Sequence, residues 1–280
     1  MEKRFQIVRI GQLVRRIQLD PSLIIVTTIL FAVVVTGFVL SDRFGTTRNF
    51  MNVLEQAAGL GFACIGQALV VIVGGIDLSI GAMVTASTIF LTAIVDLHPS
   101  LMIPMIFGTL LFGTVIGFLN GYITLRTGVH PLIVTLGTAS ILNGAVLIYT
   151  LQPTGSVPFW FEEFAYGRLW GFLPISGLVM LLCFALIWFF LRYTQTGRAF
   201  YAVGGNPEAA RLSGIRSNRI ILMAYSFSGF FAALAGAYYV SRTGIGDPRV
   251  GDPITLASIT PVIIGGLILG GGKGNIIGVL

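Results

Sequence analysis

A chain of 280 residues that is 55% hydrophobic and only 10% charged, with a mean hydropathy of +0.91, excludes an ordinary soluble domain, where about a quarter of residues are charged. The net charge of +6, from 17 Lys and Arg against 11 Asp and Glu, is spread over loops between apolar runs and reads as membrane topology, not as a nucleic-acid surface. Cys64 and Cys183 lie inside apolar runs, far apart, and offer neither a disulfide framework nor metal-ligand spacing.

A hydrocarbon core about 30 Å thick takes about 20 apolar residues per helix. Runs of that kind occur at 22–40, 52–73, 79–95, 101–124, 131–150, 174–191, 220–240 and 254–270, and 275–280 would begin a ninth. They lack two-residue alternation and are about twice as long as a barrel strand. The expected fold is therefore all-α, a polytopic bundle of eight or nine spans forming one transmembrane domain over 1–280. The first run follows a basic N-terminus with no small-residue cleavage site and reads as a retained span.

The distribution of Lys and Arg sets the orientation. With the N-terminus inside, the inner segments hold Lys3, Arg4, Arg9, Arg15, Arg16, Arg126, Arg192, Arg198, Arg211, Arg216, Arg219 and Lys273, and the outer ones only Arg43, Arg48, Arg168, Arg242 and Arg249. That places the 192–219 loop in the cytoplasm. The outer 151–173 loop carries Phe159, Trp160, Phe161, Tyr166 and Trp170, which suits a segment lying at headgroup level. Many of the 36 glycines fall within apolar runs, where lipid supplies no hydrophobic drive and small residues let backbones touch. Gly113, Gly117 and Gly121 repeat every four residues in the fourth span, and Ser228, Ala232 and Gly236 do so in the seventh. Both are read as packing faces.

Gly74-Gly75-Ile76-Asp77-Leu78-Ser79-Ile80-Gly81 interrupts an apolar stretch running from 57 to 95. The glycines can end one helix and Asp77 can cap the next. Two readings stay open: a tight cytoplasmic hairpin turn, or a discontinuous helix whose positive end faces a translocation path. Glu55, the other acidic group near a span, follows Arg48 and Asn49 closely and reads as solvated at the interface. Gln67, Asn120, Thr135, Thr138, Ser140 and Asn143 are uncharged polar residues within spans. A path for a neutral, hydroxyl-rich solute needs such groups, although each serves equally as interhelical glue. The candidate path set is Gln67, Asp77, Ser79, Asn120, Thr135 and Asn143.

Gly204 to Ile215 forms a short polar helix in the most basic loop. Asn206 is placed as N-cap, Pro207 at the first helical position and Gly214 in the left-handed turn past the end. Two turns cannot persist on their own propensity, so the helix must be held against the spans while its other side faces a cytoplasmic partner. Asn206, Pro207, Glu208, Arg211 and Gly214 are the candidate coupling residues. Gly272-Lys273 does not complete a phosphate-binding loop: Leu267 stands where the first glycine belongs and Gly274 where Ser or Thr belongs. No nucleophile elbow or paired-histidine metal motif occurs, and His98 and His130 each precede proline at a span edge.

Four of these segments together resemble one family. Gly74 to Gly81, with Gln67 upstream, is similar to the signature of ribose/xylose/galactose-type ABC importer permeases, and Pro131 to Thr138 resembles that family's following motif. Gly204 to Ile215 resembles its coupling loop, and Gly265-Gly266 with Gly271 to Gly274 its late glycine-rich region. His130 stands where the family often has another proline. The signature with Asp77 distinguishes this group from the related branched-chain amino-acid permeases.

The resemblance implies an inner-membrane permease, paired with a second copy or a homologue and surrounded by lipid. It would be driven by two cytoplasmic ATPase subunits that hold the ATP and Mg, with no cofactor or metal on this chain. A periplasmic or lipid-anchored binding protein would deliver a monosaccharide or similar polyol. The coupling role carries over to Asn206 to Gly214, with Glu208 and Arg211 in contact with the ATPase. The family fold has about ten spans, about two more than this chain shows, which implies either a truncated sequence or an incomplete member. Three rival classes make different demands. An ion-coupled secondary transporter needs paired intramembrane carboxylates or histidines, and the chain offers Asp77 and Glu55. A membrane enzyme needs convergent nucleophile, base or metal ligands, and an inert scaffold needs no site.

Overall fold

The computed structural model describes residues 21–280, with side chains from Thr28 onward. It divides into two compact units, the first ending at Thr46 and the second running from Thr47 to Leu280. The basic residues Lys3, Arg4, Arg9, Arg15 and Arg16 lie outside the described residues. In the first unit, helix α1 (Pro21–Leu40) leads into a turn in which the Phe38 and Phe44 rings meet edge to face, 5.2 Å apart.

The second unit comprises α2 (Thr47–Ile72), α3 (Ile80–Val95), α4 (Met102–Thr127) and α5 (Pro131–Tyr149), followed by a largely non-helical stretch. That stretch holds the one-turn α6 (Glu163–Tyr166) and a two-residue antiparallel pair, β1 (Arg168–Leu169) and β2 (Leu173–Pro174). Then come α7 (Ile175–Tyr193), α8 (Gln195–Gly205), α9 (Pro207–Leu212), α10 (Ser217–Thr243) and α11 (Ile254–Ile264). Residues Ile276–Val279 form a 3-10 turn. Among the described residues, five stretches, 47–72, 99–127, 131–149, 175–193 and 217–243, are long and apolar enough to cross a membrane, and 28–40, 80–95 and 254–264 are shorter apolar helices. The protein is an all-α polytopic membrane bundle.

The last span ends at Ile264, six residues short of the expected boundary. Pro261 sits inside α11 and brings no backbone donor, while Gly266 turns at φ 88 just past the end. Helix α8 was expected as loop. It forms because Thr194 accepts from the amide of Gly197 as N-cap, and Phe200 and Val203 are buried on one face.

Helix α10 is the centre of the unit, packing most extensively on α4 and then on α2 and α3. Its contact with α4 depends on the repeated glycines. A Cβ at Gly113 would strike the carbonyl oxygen of Gly229, one at Gly117 that of Tyr225, and one at Gly121 would lie 3.2 Å from the Tyr225 Cβ. The other face of α10 sets Gly236 against Ser87 and Val84 of α3, and Ser228 against Gly66 of α2. Small residues on both sides let one helix touch three neighbours at backbone distance.

The 151–173 segment is only partly as expected. Trp160, Trp170, Phe159 and Tyr166 are exposed, but Phe161 is buried and joins a ring cluster with Phe164 and, through it, Tyr238 and Phe62.

Candidate functional site

The end of α2 is a glycine stop of the Schellman type. Gly74 is left-handed (φ 87), its amide donates to Val71 O at 2.9 Å, and the Gly75 amide donates to Val70 O at 2.9 Å. Helices α2 and α3 both pack on α10 and touch each other little, so the segment between them is not the turn of a packed hairpin. Asp77 is fully buried in this break and does not cap α3 in the ordinary way. Its Oδ1 accepts from the Ser79 amide (2.9 Å) and the Ser79 hydroxyl (2.6 Å), and its Oδ2 accepts from the Ser228 hydroxyl of α10 (2.7 Å).

The network extends outward from Ser79. Asn120 Nδ2 on α4 donates to Ser79 Oγ at 2.9 Å, and Thr138 Oγ1 on α5 donates to Asn120 Oδ1 at 2.5 Å. Thr135, also on α5, accepts the Leu78 amide at 3.0 Å. Four of the six candidate path residues therefore converge on the break, joined by Thr138 and by Ser228, which sequence reasoning had assigned to packing alone.

The remaining two stand apart. Gln67 is fully buried on α2, and neither its Oε1 nor its Nε2 has a hydrogen-bond partner. Asn143 is exposed on α5, outside the buried stripe of Thr135, Ala139, Leu142 and Val146. The hydroxyls of Tyr225 and Ser87 are likewise buried without partners. A buried amide or hydroxyl with unspent hydrogen-bonding capacity is a costly feature that a polar ligand or water can relieve.

The structure corrects the reading of Glu55. Its residue exposure is 7%, and it pairs with Arg168 Nη2 at 2.9 Å. The same guanidinium nitrogen donates to Asn52 Oδ1 at 2.8 Å, while the Glu55 carbonyl accepts from the Tyr238 hydroxyl at 2.6 Å. The β1–β2 pair brings Arg168 over the start of α2, so a carboxylate expected in solvent is part of an ion pair.

In the 192–219 loop, α9 is capped at both ends. Asn206 Oδ1 accepts from the amides of Glu208 (3.0 Å) and Ala209 (2.9 Å), and Pro207 fills the first helical position. At the other end Gly214 is left-handed (φ 85), with Ile215 N donating to Ala210 O at 3.0 Å. Ala210 is the buried residue of this helix, and Ser217 Oγ ties it down by donating to Pro207 O at 2.9 Å. Glu208 and Arg211 project outward, each side chain 65% exposed, and form a two-bonded pair with distances of 2.6 and 3.0 Å. The Arg211 guanidinium, by hydrogen bond and by charge, holds the Glu208 carboxyl below its ordinary range, and Glu208 raises Arg211 in return.

An apolar helix bundle with a buried polar break and a capped, exposed helix beside it is the class of a membrane-embedded transport permease. The chain belongs to the family described as branched-chain amino acid transport system / permease component, whose model matches residues 49–280. It is 35% identical to the ribose import permease protein RbsC of Bacillus subtilis, over 90% of this chain and 78% of that protein. It is 31% identical to the fructose import permease protein FrcC of Rhizobium meliloti, over 93% and 75%. It is 32% identical to the autoinducer 2 import system permease protein LsrD of Yersinia enterocolitica, over 78% and 69%. No solved structure gives a significant match.

Proposed function

We propose that this chain is the membrane-spanning subunit of an ATP-binding-cassette importer that carries a monosaccharide or similar polyol by alternating access. The observation that carries the reading is α9, capped at Asn206 and Gly214, held by Ala210 and Ser217, and presenting the exposed Glu208–Arg211 pair. A helix built this rigidly and displayed this openly suits docking to a separate motor subunit. The similarity to ribose and fructose import permeases points to the solute class.

In this reading the ATP and Mg reside in the partner ATPase subunits, and the chain binds no cofactor. A periplasmic or lipid-anchored binding protein delivers the solute, and a second permease copy or homologue completes the channel. Residues 1–280 act as one permease domain in the bacterial inner membrane, N-terminus inside. The ATPase must favour one conformation of the bundle and the loaded binding protein another, since equal affinity for both would shift nothing. Gln67, with unspent hydrogen-bonding groups, is the best candidate for contact with the solute. Asp77, Ser79 and Asn120 are bonded in series and Thr135 is bonded to the backbone at Leu78, so in this state all four would meet a solute only by exchanging partners. Asn143 would contribute from the exposed face of α5.

The test is reconstitution in vesicles with and without ATPase subunits. Uptake that needs the second subunit and ATP, and survives collapse of the ion gradients, is expected. Vectorial uptake by this polypeptide alone, or uptake abolished by an ionophore with ATP still present, would favour the ion-coupled rival instead.

A further inference from the structure

Three glycine pairs far apart in sequence meet at one point. Gly204, near the end of α8, lies against the end of α2: a Cβ there would strike the carbonyl oxygen of Ile72 and come within 2.5 Å of the Gly272 amide nitrogen. That carbonyl accepts the Gly272 amide at 2.9 Å. A Cβ on Gly271 would lie 2.7 Å from Gly74 N and 2.8 Å from Gly204 O, and one on Gly272 would lie 2.6 Å from Gly205 Cα. The backbones of α8, of the α2 break and of the segment after α11 therefore touch with no side chain between them.

Side chains can absorb a displacement by changing rotamer, whereas close-packed backbone passes it on. On one side of this junction, α8 continues into α9 through the single residue Asn206. On the other, Gly74 stands three residues before Asp77, the centre of the polar network. We propose that the glycine junction is the step through which motion of α9 reaches the broken helix, with Gly204 and Gly272 as its positioning residues. The inference rests on α9 being the ATPase-docking element.

Neighbouring glycines supply internal controls. A Cβ on Gly205 or on Gly270 would meet nothing within 4 Å, and Gly204, Gly205 and Gly270 all lie outside the left-handed region. Alanine at Gly204 and Gly205, both helical, thus differs in the space it enters, and Gly270 adds a control in the turn after α11. The experiment replaces Cys64 and Cys183 by Ser, places a reporter thiol with Leu78→Cys, and measures its maleimide labelling rate in the permease–ATPase complex with and without MgATP. Because no solute is needed, the readout isolates transmission. ATP is expected to change the rate at least fivefold in the parent, G205A and G270A proteins. G204A should lose that response while it still folds and retains the ATPase subunit, with a melting temperature lowered as overpacking against the Ile72 carbonyl requires.

A folded, ATPase-bound G204A protein with the full response overturns the junction alone. A parent that retains no ATPase subunit overturns the docking reading, and the junction with it. Should G204A fail to fold, a reversible bifunctional thiol linker between Gly205→Cys and Gly270→Cys decides the matter. The junction moves as one body, so the ATP response should survive linkage, and its arrest would overturn the proposal.

Discussion

The Ser228 hydroxyl donates to Asp77 Oδ2 at 2.7 Å, joining α10 to the break between α2 and α3 across 151 residues of sequence. With Ser79, Asn120 and Thr138 in series, the break is tied at once to α4, α5 and α10. Removing one member leaves a buried partner unmatched, which costs about 1–3 kcal/mol. Ser228→Ala and Asn120→Ala should each destabilise the protein in detergent by about that amount. The double variant should lose clearly less than the sum, because both act on one network. Strict additivity in denaturant melts would show that the two bonds are independent.

The close approach of α4 to α10 leads to a second expectation. Gly117→Ala puts a methyl group onto the Tyr225 carbonyl, whereas Gly137 and Gly144 on α5 have open space where a Cβ would stand. Overpacking of this kind costs about 1–3 kcal/mol. Gly117→Ala should therefore lower the melting temperature, and Gly137→Ala and Gly144→Ala should leave it unchanged. Equal tolerance at all three positions would show that the α4–α10 face yields without strain.

Glu55 and Arg168 give a third. The Arg168 side chain retains 30% exposure and Glu55 10%, so solvent screens the pair in part. Breaking a fully buried pair costs about 3–5 kcal/mol, and about half of that is expected here for Glu55→Gln or Arg168→Gln alone. Changing both should recover part of the loss, since no charge is then left unmatched. A double variant as unstable as the worse single one would mean that the hydrogen bond to Asn52, not the ion pair, carries the effect.

Much of the bundle was legible because span length and apolar runs are local properties. Seven of the eight expected spans match helices closely, and the eighth is cut short by a left-handed Gly266, past which the Leu267 amide donates to Val262 O, a stop that an apolar run does not announce. Glu55 was misread because its partner lies 113 residues away on a small β-pair that local pattern does not announce. Helix α8 was missed because its glycines look like loop, yet Gly197 and Gly204 are needed where α8 touches α7 and α2. The polar set was visible as a set, but which members would bond to each other was not. Asn143 resembles Asn120 in kind, and only the facing of α5 separates them.

The Glu208–Arg211 pair sets the pH behaviour of the docking helix. The folded carboxyl titrates below its ordinary value of 4.5 because Arg211 hydrogen-bonds to it and lends it positive charge. A depressed carboxylate pKa contributes stability at pH above the unfolded value, and that contribution disappears as pH falls through the lower, folded value. Amide hydrogen exchange at Ala209 and Ala210 should therefore be governed by a constant helix stability from neutral pH to about 5, and the helix should loosen only in stronger acid. Glu208→Gln should remove the pH dependence and open the helix modestly near neutral pH, as expected for an exposed pair, while matching the parent in strong acid, where the parent has lost the pair as well. Asn206→Ala acts on a different group, releasing two backbone donors, and should cost about 0.5–2 kcal/mol at all pH values. Carboxyl NMR of Glu208 provides the direct check: titration at or above 4.5 in the folded protein would mean that Arg211 does not hold the carboxylate in solution.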